Sequence, residues 1–362
     1  MYFLIFPLVI LAAVYLLHRY IAGANLSKWD TPVEENFRDE PASEIHQESV
    51  AKLKVRDPHA AGLSPKQMLD YMRKLYDDSG TLFPISSEII DVVDAPVKGE
   101  WIVAAGSDST KRMLYVHGGA FKLGSPRSHR CIADAMSKAL GGPVFVPDYR
   151  LTPENHRNDC VTDTRASYEW IWNNAPNEIS VPTHVFVAGD SAGGNLALGL
   201  LPWIRDNRKP PVTACIGLSP GLDLTASAKS YKANLDKDTL LRPILEVIRN
   251  IPNWVLPWAG LFDGKVRPAA PDISPLFDQL HQLPPTLLQA STAECLEDDS
   301  RRWANKARAA GSPVTLQLWS NMLHVWQTLI CVNAPEAIEA FEQIEQFIQA
   351  QLNSAAAKNH NS

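Results

Sequence analysis

The feature that most constrains the fold of this chain is the segment 184–195, where an apolar run leads into a glycine-rich turn and then a helical pattern. The turn reads G-D-S-A-G at 189–193. Gly189 and Gly193 lack side chains, which lets a strand and a helix approach closely, and the sharp turn exposes the Ser191 hydroxyl at a sheet edge. A bare G-x-S-x-G also occurs in glycine-rich loops, but the flanking strand and helix favour a nucleophile here, with Asp190 supporting the turn.

The chain around this turn alternates short β-rich runs with helical segments, which is typical of a mainly parallel sheet with helices on both faces. We therefore predict an α/β fold with strands at 101–105, 112–116, 143–147, 184–188, 214–219, 286–290 and 315–319. Several of these runs are apolar throughout, as expected of strands covered on both sides. The helices are predicted at 131–140, 160–174, 195–206, 299–310 and 335–352.

A serine hydroxyl is a weak nucleophile at neutral pH, so Ser191 requires a base and an acid that orients the base. In folds with this turn, the acid and then the histidine follow the serine along the chain. Of the later histidines, His360 lies in a polar tail and His281 precedes the strand that should deliver the acid. His324, which lies just after the last predicted strand, is therefore the predicted base.

The acid is predicted from its place after the strand at 286–290, where several carboxylates follow. Glu294 is the carboxylate nearest to the end of this strand, and we favour it. Asp298 and Asp299 are better explained as caps of the following helix, although they and Glu297 stay as alternatives.

A tetrahedral oxyanion also needs hydrogen-bond donors that are already in place, and a glycine-rich backbone can point several N–H groups at one spot. The segment 117–119 reads H-G-G and directly follows the strand at 112–116, at the same sheet edge as Ser191. The backbone donors assigned to this oxyanion hole are the N–H groups of Gly118, Gly119 and Ala192. We expect His117 to tie the loop by hydrogen bonds. A phosphate loop is excluded because Ser125 stands where a lysine is required.

The first 22 residues are predicted to form a single transmembrane anchor, because residues 1–17 are apolar and Arg19 follows them. The charge lies on the C-terminal side of the apolar run, which favours a cytoplasmic catalytic domain. The alternatives are a signal peptide cleaved near Gly23, which would give a periplasmic or secreted protein, and a buried helix.

The rest of the chain divides by composition. Residues 25–65 are polar and contain several prolines, which predicts a linker. The main domain is predicted at 66–352, with a helical cap formed by 66–90 and 221–271, and a disordered tail at 353–362. The second cap segment is too long for a simple connection, and its Trp254 and Trp258 indicate an apolar pocket.

Net charge and cysteine content limit the kinds of ligand and partner that this chain can bind. A net charge of −6 and a pI near 5.9 argue against nucleic acid, since phosphate binding needs clustered Lys and Arg. The five cysteines are far apart and include no CxxC pair, so they predict neither a disulfide framework nor a zinc site. One disulfide between two of them stays an alternative. No motif indicates a metal or an organic cofactor.

Three segments, 117–121, 148–154 and 189–194, together resemble the hormone-sensitive-lipase-like branch of the α/β-hydrolases, which includes bacterial esterases and arylacetamide deacetylase. The resemblance covers roughly residues 101–347. It implies hydrolysis of small apolar esters, of short to medium chain or aryl type, through an acyl-enzyme and without a cofactor. Arg150 and Glu154 are expected to pair. The acid departs from the family pattern, which most often has aspartate where this chain has Glu294.

Other functions share this fold. A lactone hydrolase or an aryl-amide deacetylase would use the same three residues on another substrate, and a membrane-bound lipase would act on aggregated lipid. A non-catalytic small-molecule receptor of the same fold is a further alternative, which the presence of His324 disfavours, since such receptors resemble the family but lose the histidine.

Overall fold

The apolar runs on either side of Ser191 form one sheet of eight strands within the part of the chain that the computed structural model describes, residues 2–33, 36–54, 58–176 and 178–360. In chain order the strands are β1 Glu88–Val92, β2 Gly99–Val103, β3 Lys111–Val116, β4 Val144–Pro147, β5 Asn174–Ala175, β6 Glu178–Ile179, β7 His184–Asp190, β8 Ala214–Leu218, β9 Thr286–Ser291 and β10 Val314–Trp319. The sheet order is β1-β2-β4-β3-β7-β8-β9-β10, and β5 pairs with β6 separately. Pairing is parallel from β4 to β10, whereas β2 runs antiparallel to both of its neighbours.

Helices cover both faces of this sheet. In chain order they are α1 Tyr2–Ala22, α2 Glu44–Leu53, α3 Pro65–Leu82, α4 Arg130–Leu140, α5 Arg157–Ile171, α6 Ser191–Asp206, α7 Ser230–Ala233, α8 Arg242–Leu245, α9 Leu256–Gly264, α10 Glu297–Ala309 and α11 Pro335–His360. Apolar residues of α5, α6 and α10 share one core, and those of α4 and α11 share the other. The predicted α/β class, with a mainly parallel sheet between two helical layers, is confirmed.

Strand β7 shows why its sequence is apolar at four successive positions, 185–188. Val185 and Val187 lie in the core beneath α5 and α6, whereas Phe186 and Ala188 lie in the core beneath α4 and α11. Successive side chains of a strand point to opposite faces, so a strand covered on both faces needs apolar residues throughout. This central position places the end of β7, and therefore Ser191, in the middle of the sheet edge.

The predicted cap at 66–90 is only partly separate from the sheet. Helix α3 occupies most of it, but β1 begins at Glu88 and pairs with β2. The strand was missed because it is an edge strand with mostly exposed or half-buried side chains, so its apolar signal is weak. The second predicted cap segment, 221–271, contains α7, α8 and α9, in keeping with a helical excursion from the sheet.

The predicted linker and tail are more ordered than their composition indicates. Residues 25–65 contain α2, and side chains anchor this stretch: Arg302 Nε donates to Asp30 Oδ1 at 2.6 Å, and Arg38 Nε donates to Glu339 Oε2 at 2.8 Å. At the other end, α11 continues past 352 to His360, where the sequence predicts a disordered tail. Contacts distant in sequence hold the predicted linker, and local polarity does not reveal such contacts.

The prediction of a transmembrane anchor at 1–22, with a cytoplasmic catalytic domain, is wrong. Within the described residues, no helix combines the length and apolar character needed to cross a bilayer. The end of α1 packs on the domain instead, because Ile21 is 1% exposed and Trp258 Nε1 donates to His18 Nδ1 at 3.2 Å.

One pair of cysteines meets across the structure. Cys131 at the start of α4 is joined to Cys331, 200 residues later, with 5.9 Å between their Cα atoms. Cys160, Cys215 and Cys295 are free and buried. The spacing of the cysteines predicted no framework, since the fold rather than the spacing brings the two partners together.

Candidate active site

The turn at Ser191 has the strained geometry that its glycines make possible. Strand β7 ends at Asp190, α6 begins at Ser191, and Ser191 has a φ of 50°, in the left-handed region. A Cβ atom on Gly193 would lie 2.0 Å from the Val116 carbonyl oxygen, and one on Gly189 would lie 2.5 Å from the Gly193 carbonyl oxygen. Both positions therefore require glycine, and the turn presents the serine hydroxyl at the carboxyl edge of the sheet.

Three side chains predicted from the sequence form one hydrogen-bonded chain at this edge. His324 Nε2 lies 2.9 Å from Ser191 Oγ, and His324 Nδ1 lies 2.5 Å from Glu294 Oε2. The other carboxylate oxygen of Glu294 accepts a hydrogen bond from the Ser291 N–H at 2.7 Å. Glu294 comes from the turn after β9 and His324 from the loop after β10, so neighbouring parallel strands deliver both. Glu294 is fully buried, which keeps water from competing for this histidine.

The surroundings of His324 favour its protonated form. Burial by itself lowers the pKa of the imidazole, but the hydrogen bond and charge of Glu294 outweigh burial and raise the pKa above its usual value. The negative charges of Asp238 and Asp190 act in the same direction. A base with a raised pKa accepts a proton readily and returns it later, as general acid–base chemistry requires.

The glycine-rich loop after β3 lies beside Ser191, but its amide groups are not all available. The N–H of Gly118 donates to Asp190 Oδ1 at 3.0 Å, so the assignment of this amide to the oxyanion hole is wrong. The same carboxylate oxygen accepts a hydrogen bond from the Tyr115 hydroxyl at 2.7 Å. Within the described part of the chain, the N–H groups of Gly119 and Ala120 meet no acceptor. The loop therefore offers the next two amides rather than the first.

His117 lies behind this loop and is completely buried. Its Nδ1 lies 2.9 Å from the Gly118 carbonyl oxygen, its ring stacks on Tyr149, and the Tyr149 hydroxyl donates to the His117 carbonyl at 2.8 Å. Burial, together with the nearby His129, lowers the pKa of His117 to about 3, so the ring is neutral. These contacts match a residue that ties the loop and does not transfer protons.

Two residues that the sequence did not indicate support the loop of His324. The Leu323 N–H donates to His46 Nε2 at 3.0 Å, and the Val325 N–H donates to Ser219 Oγ at 3.2 Å. Ser219 follows β8 at the same sheet edge, which is a signal that could have identified it. His46 lies in α2, within the predicted linker, and no local pattern connects it with the site.

Several smaller assignments need correction. Arg150 pairs with Asp163 at 2.7 Å rather than with Glu154, which pairs with Arg73 at 2.8 Å. Helix α10 begins at Glu297, before the predicted caps. Asp298 and Asp299 accept hydrogen bonds from the backbone of the 221–271 segment instead, at residues Ser230, Leu222 and Asp223.

The two tryptophans of the 221–271 segment do not line an apolar pocket as predicted. Trp254 is 66% exposed, and Trp258 donates its indole N–H to His18 of α1. Neither residue therefore indicates the size of a substrate.

Comparisons with known proteins agree with this architecture. A model of the α/β-hydrolase fold matches residues 113–328, a range that includes Ser191, Glu294 and His324. An esterase of Acinetobacter venetianus is 32% identical over 308 residues, which cover 83% of this chain and 94% of that protein. A carboxylesterase/phospholipase of Mycobacterium tuberculosis is 33% identical over 265 residues, or 72% of this chain and 68% of that protein.

Solved structures give the same result. The crystal structure of an esterase from the bacterial hormone-sensitive lipase family aligns with a TM-score of 0.73 at 30% identity, and covers 86% of this chain and 99% of that one. The likeness thus extends over the sheet, both helical layers and the edge that carries Ser191. The chain belongs to the α/β-hydrolase family, in its hormone-sensitive-lipase-like branch.

Proposed function

We propose that this protein hydrolyses carboxylic esters through a covalent acyl-enzyme, with Ser191 as nucleophile, His324 as general base and Glu294 as the acid that orients the histidine. The observation that carries the proposal is the unbroken chain of contacts, 2.9 Å and 2.5 Å long, from the serine through the histidine to the carboxylate. Relatives named esterase, acetyl-hydrolase and carboxylesterase support ester hydrolysis as the reaction.

In this mechanism His324 takes the hydroxyl proton through Nε2 while Ser191 Oγ attacks the ester carbonyl. The Nδ1–H of His324 donates to Glu294, which stabilises the imidazolium that forms. The imidazolium then gives its proton to the leaving alcohol, and an acyl-enzyme results. Water, deprotonated by the same nitrogen, attacks the acyl group and releases the acid together with the free serine.

The negative oxygen of the tetrahedral intermediate needs preorganised donors. We assign this role to the N–H groups of Gly119 and Ala192, with Ala120 in place of Gly118, whose amide already donates to Asp190. Ala192 follows the nucleophile directly, which is where the fold requires one donor. The substrate class that fits the family is a small apolar ester, of short to medium chain or aryl type.

The decisive experiment replaces the nucleophile. Ser191→Ala is expected to abolish turnover of p-nitrophenyl esters and labelling by a fluorophosphonate while leaving the thermal unfolding midpoint near that of the wild type. Ser354→Ala, on the exposed face of α11, is the matched control and should keep full activity. Labelling or turnover that persists in Ser191→Ala would exclude Ser191 as the nucleophile.

A further inference from the structure

Three side chains of the 221–271 segment bind the backbone at Glu294 and at the residue that follows it, Cys295. Ser230 Oγ donates to the Cys295 carbonyl at 2.8 Å, and Asn234 Nδ2 donates to the Glu294 carbonyl at 3.0 Å. Asp238 Oδ2 accepts a hydrogen bond from the Cys295 N–H at 2.8 Å. Three consecutive backbone groups around Glu294 are therefore satisfied by a segment that does not belong to the sheet.

These three residues share one face because they are spaced four apart along α7 and the turns that continue it. The Asn234 N–H donates to the Ser230 carbonyl at 3.0 Å, and the Asp238 N–H donates to the Asn234 carbonyl at 2.9 Å. Residues four apart on a helix lie above one another, so their side chains can meet one line of backbone groups. We call Ser230, Asn234 and Asp238 the acid brace.

The acid brace has little freedom to move. All three of its side chains are buried, being 4%, 5% and 3% exposed for Ser230, Asn234 and Asp238. The second oxygen of Asp238 accepts a hydrogen bond from the Leu241 N–H at 2.9 Å, which holds the carboxylate against its own segment. Buried backbone groups that lose their hydrogen-bond partners are costly, so the brace stabilises this conformation of the turn at Glu294.

The charge of Asp238 also reaches His324. The charged groups that face the imidazole are Glu294 from the turn after β9, Asp190 from the end of β7 and Asp238 from the brace, and all three favour its protonated form. Glu294 contacts the ring directly, whereas Asp238 contacts the next residue, Cys295, and not the ring. Asp238 is therefore placed to act on the histidine through its charge and through the position of Glu294.

We propose that Ser230, Asn234 and Asp238 are positioning residues for ester hydrolysis, which hold the turn of Glu294 so that its carboxylate meets His324, and that the 221–271 segment thereby controls the geometry of the catalytic residues. This inference rests on the proposed roles of Glu294 and His324. It assigns to the predicted cap a task beyond covering the substrate.

The test is Asp238→Asn, measured as a pH profile of kcat and kcat/KM with p-nitrophenyl butyrate. We expect kcat to fall about ten-fold, a part of the 10²–10⁴-fold contribution of general base catalysis, with KM nearly unchanged. The acidic midpoint of the profile should move to lower pH, because His324 loses a negative neighbour and must be deprotonated to act. The matched control is Asp236→Asn, an exposed acid of the same segment that pairs with Arg249 and should change neither quantity.

Milder and coupled variants keep the test decisive if Asp238→Asn unfolds. Ser230→Ala should lower kcat without changing KM or the acidic midpoint, because it removes a brace contact and no charge. In a Glu294→Gln background Ser230→Ala should reduce kcat no further, since this uncharged brace residue acts only through Glu294. A wild-type kcat and midpoint in the brace variants would overturn this inference alone, whereas full activity of Ser191→Ala would overturn the proposed function itself.

Discussion

Asp190 connects two parts of the site at the scale of single residues. Its carboxylate accepts hydrogen bonds from the Gly118 N–H and the Tyr115 hydroxyl, and His129 Nε2 lies 3.6 Å away. Burial raises the pKa of this carboxyl, but His129 and the hydrogen bonds outweigh burial and hold it below the usual value. Asp190 thus stays ionised and fixes the oxyanion loop to the nucleophile turn.

The residue that orients His324 is the second assignment to test at the scale of single residues. Glu294→Gln is expected to lower kcat roughly 10²–10⁴-fold, because the amide cannot stabilise the imidazolium as a carboxylate does. Steady-state kinetics on p-nitrophenyl butyrate measure the loss. Glu297→Gln tests the alternative acid, and only a small loss is expected there, since Glu297 binds Asn234 of the acid brace and Arg301 rather than His324. A larger loss at Glu297 than at Glu294 would reverse the assignment.

At the scale of elements, the contact of β7 and α6 with the loop after β3 determines where the nucleophile stands. The Cα of Gly193 faces the carbonyl oxygens of Val116 and His117, which an added Cβ would approach to 2.0 Å and 2.4 Å. These atoms belong to the backbone at the end of β3 and the start of the following loop, and they cannot rotate away as a side chain could. Close approach of the helix to the sheet is therefore a property of the glycine and not of the packing around it.

Gly193→Ala is expected to lower the free energy of unfolding by about 3 kcal/mol, because the added methyl group overpacks a rigid backbone contact. Urea denaturation followed by circular dichroism measures this change. Gly199→Ala, in the same helix, is the matched control: its Cβ would meet only a side-chain carbon of Pro275 at 3.3 Å, and alanine favours the helix by about 1 kcal/mol. Equal stability of the two variants would contradict the steric argument.

At the scale of the whole molecule, buried neutral histidines connect stability to pH. Burial and His129 lower the pKa of His117 to about 3, and burial lowers that of His46. An unfolded chain binds protons at both histidines below about pH 6.5, while the folded chain does not until its lower pKa is reached. The stabilisation is therefore complete above pH 6.5 and is lost as the pH falls towards about 3 for His117.

His117→Gln should accordingly reduce the slope of the free energy of unfolding against pH. The reduction corresponds to one proton, or up to about 1.4 kcal/mol per pH unit between pH 6.5 and about 3. Urea midpoints measured across this range give the slope. Ser354→Ala, at an exposed position that does not titrate, should leave the slope as it is in the wild type. An unchanged slope in His117→Gln would mean that the buried ring is protonated in the folded protein.

The sequence alone predicted every central strand, with ends within two residues of those observed, because a strand covered on both faces must be apolar throughout. It also predicted the nucleophile turn, since only glycine allows the close backbone contacts around Ser191. Chain order and strand ends were sufficient to select His324 and Glu294, which the structure brings together. Such features leave a local trace, because they depend on backbone conformation or on the burial of one segment.

Only the tertiary structure decided the contacts between segments distant in the chain. The edge strand β1, the packing of α1 on α9, the support of Leu323 by His46 and the disulfide between Cys131 and Cys331 all join partners that local patterns do not relate. The same holds for the amide of Gly118, which a glycine-rich motif presents as a free donor but which the fold gives to Asp190. Local sequence specifies which conformations and faces are available, whereas the partner of each polar group depends on which segments the folded chain brings together.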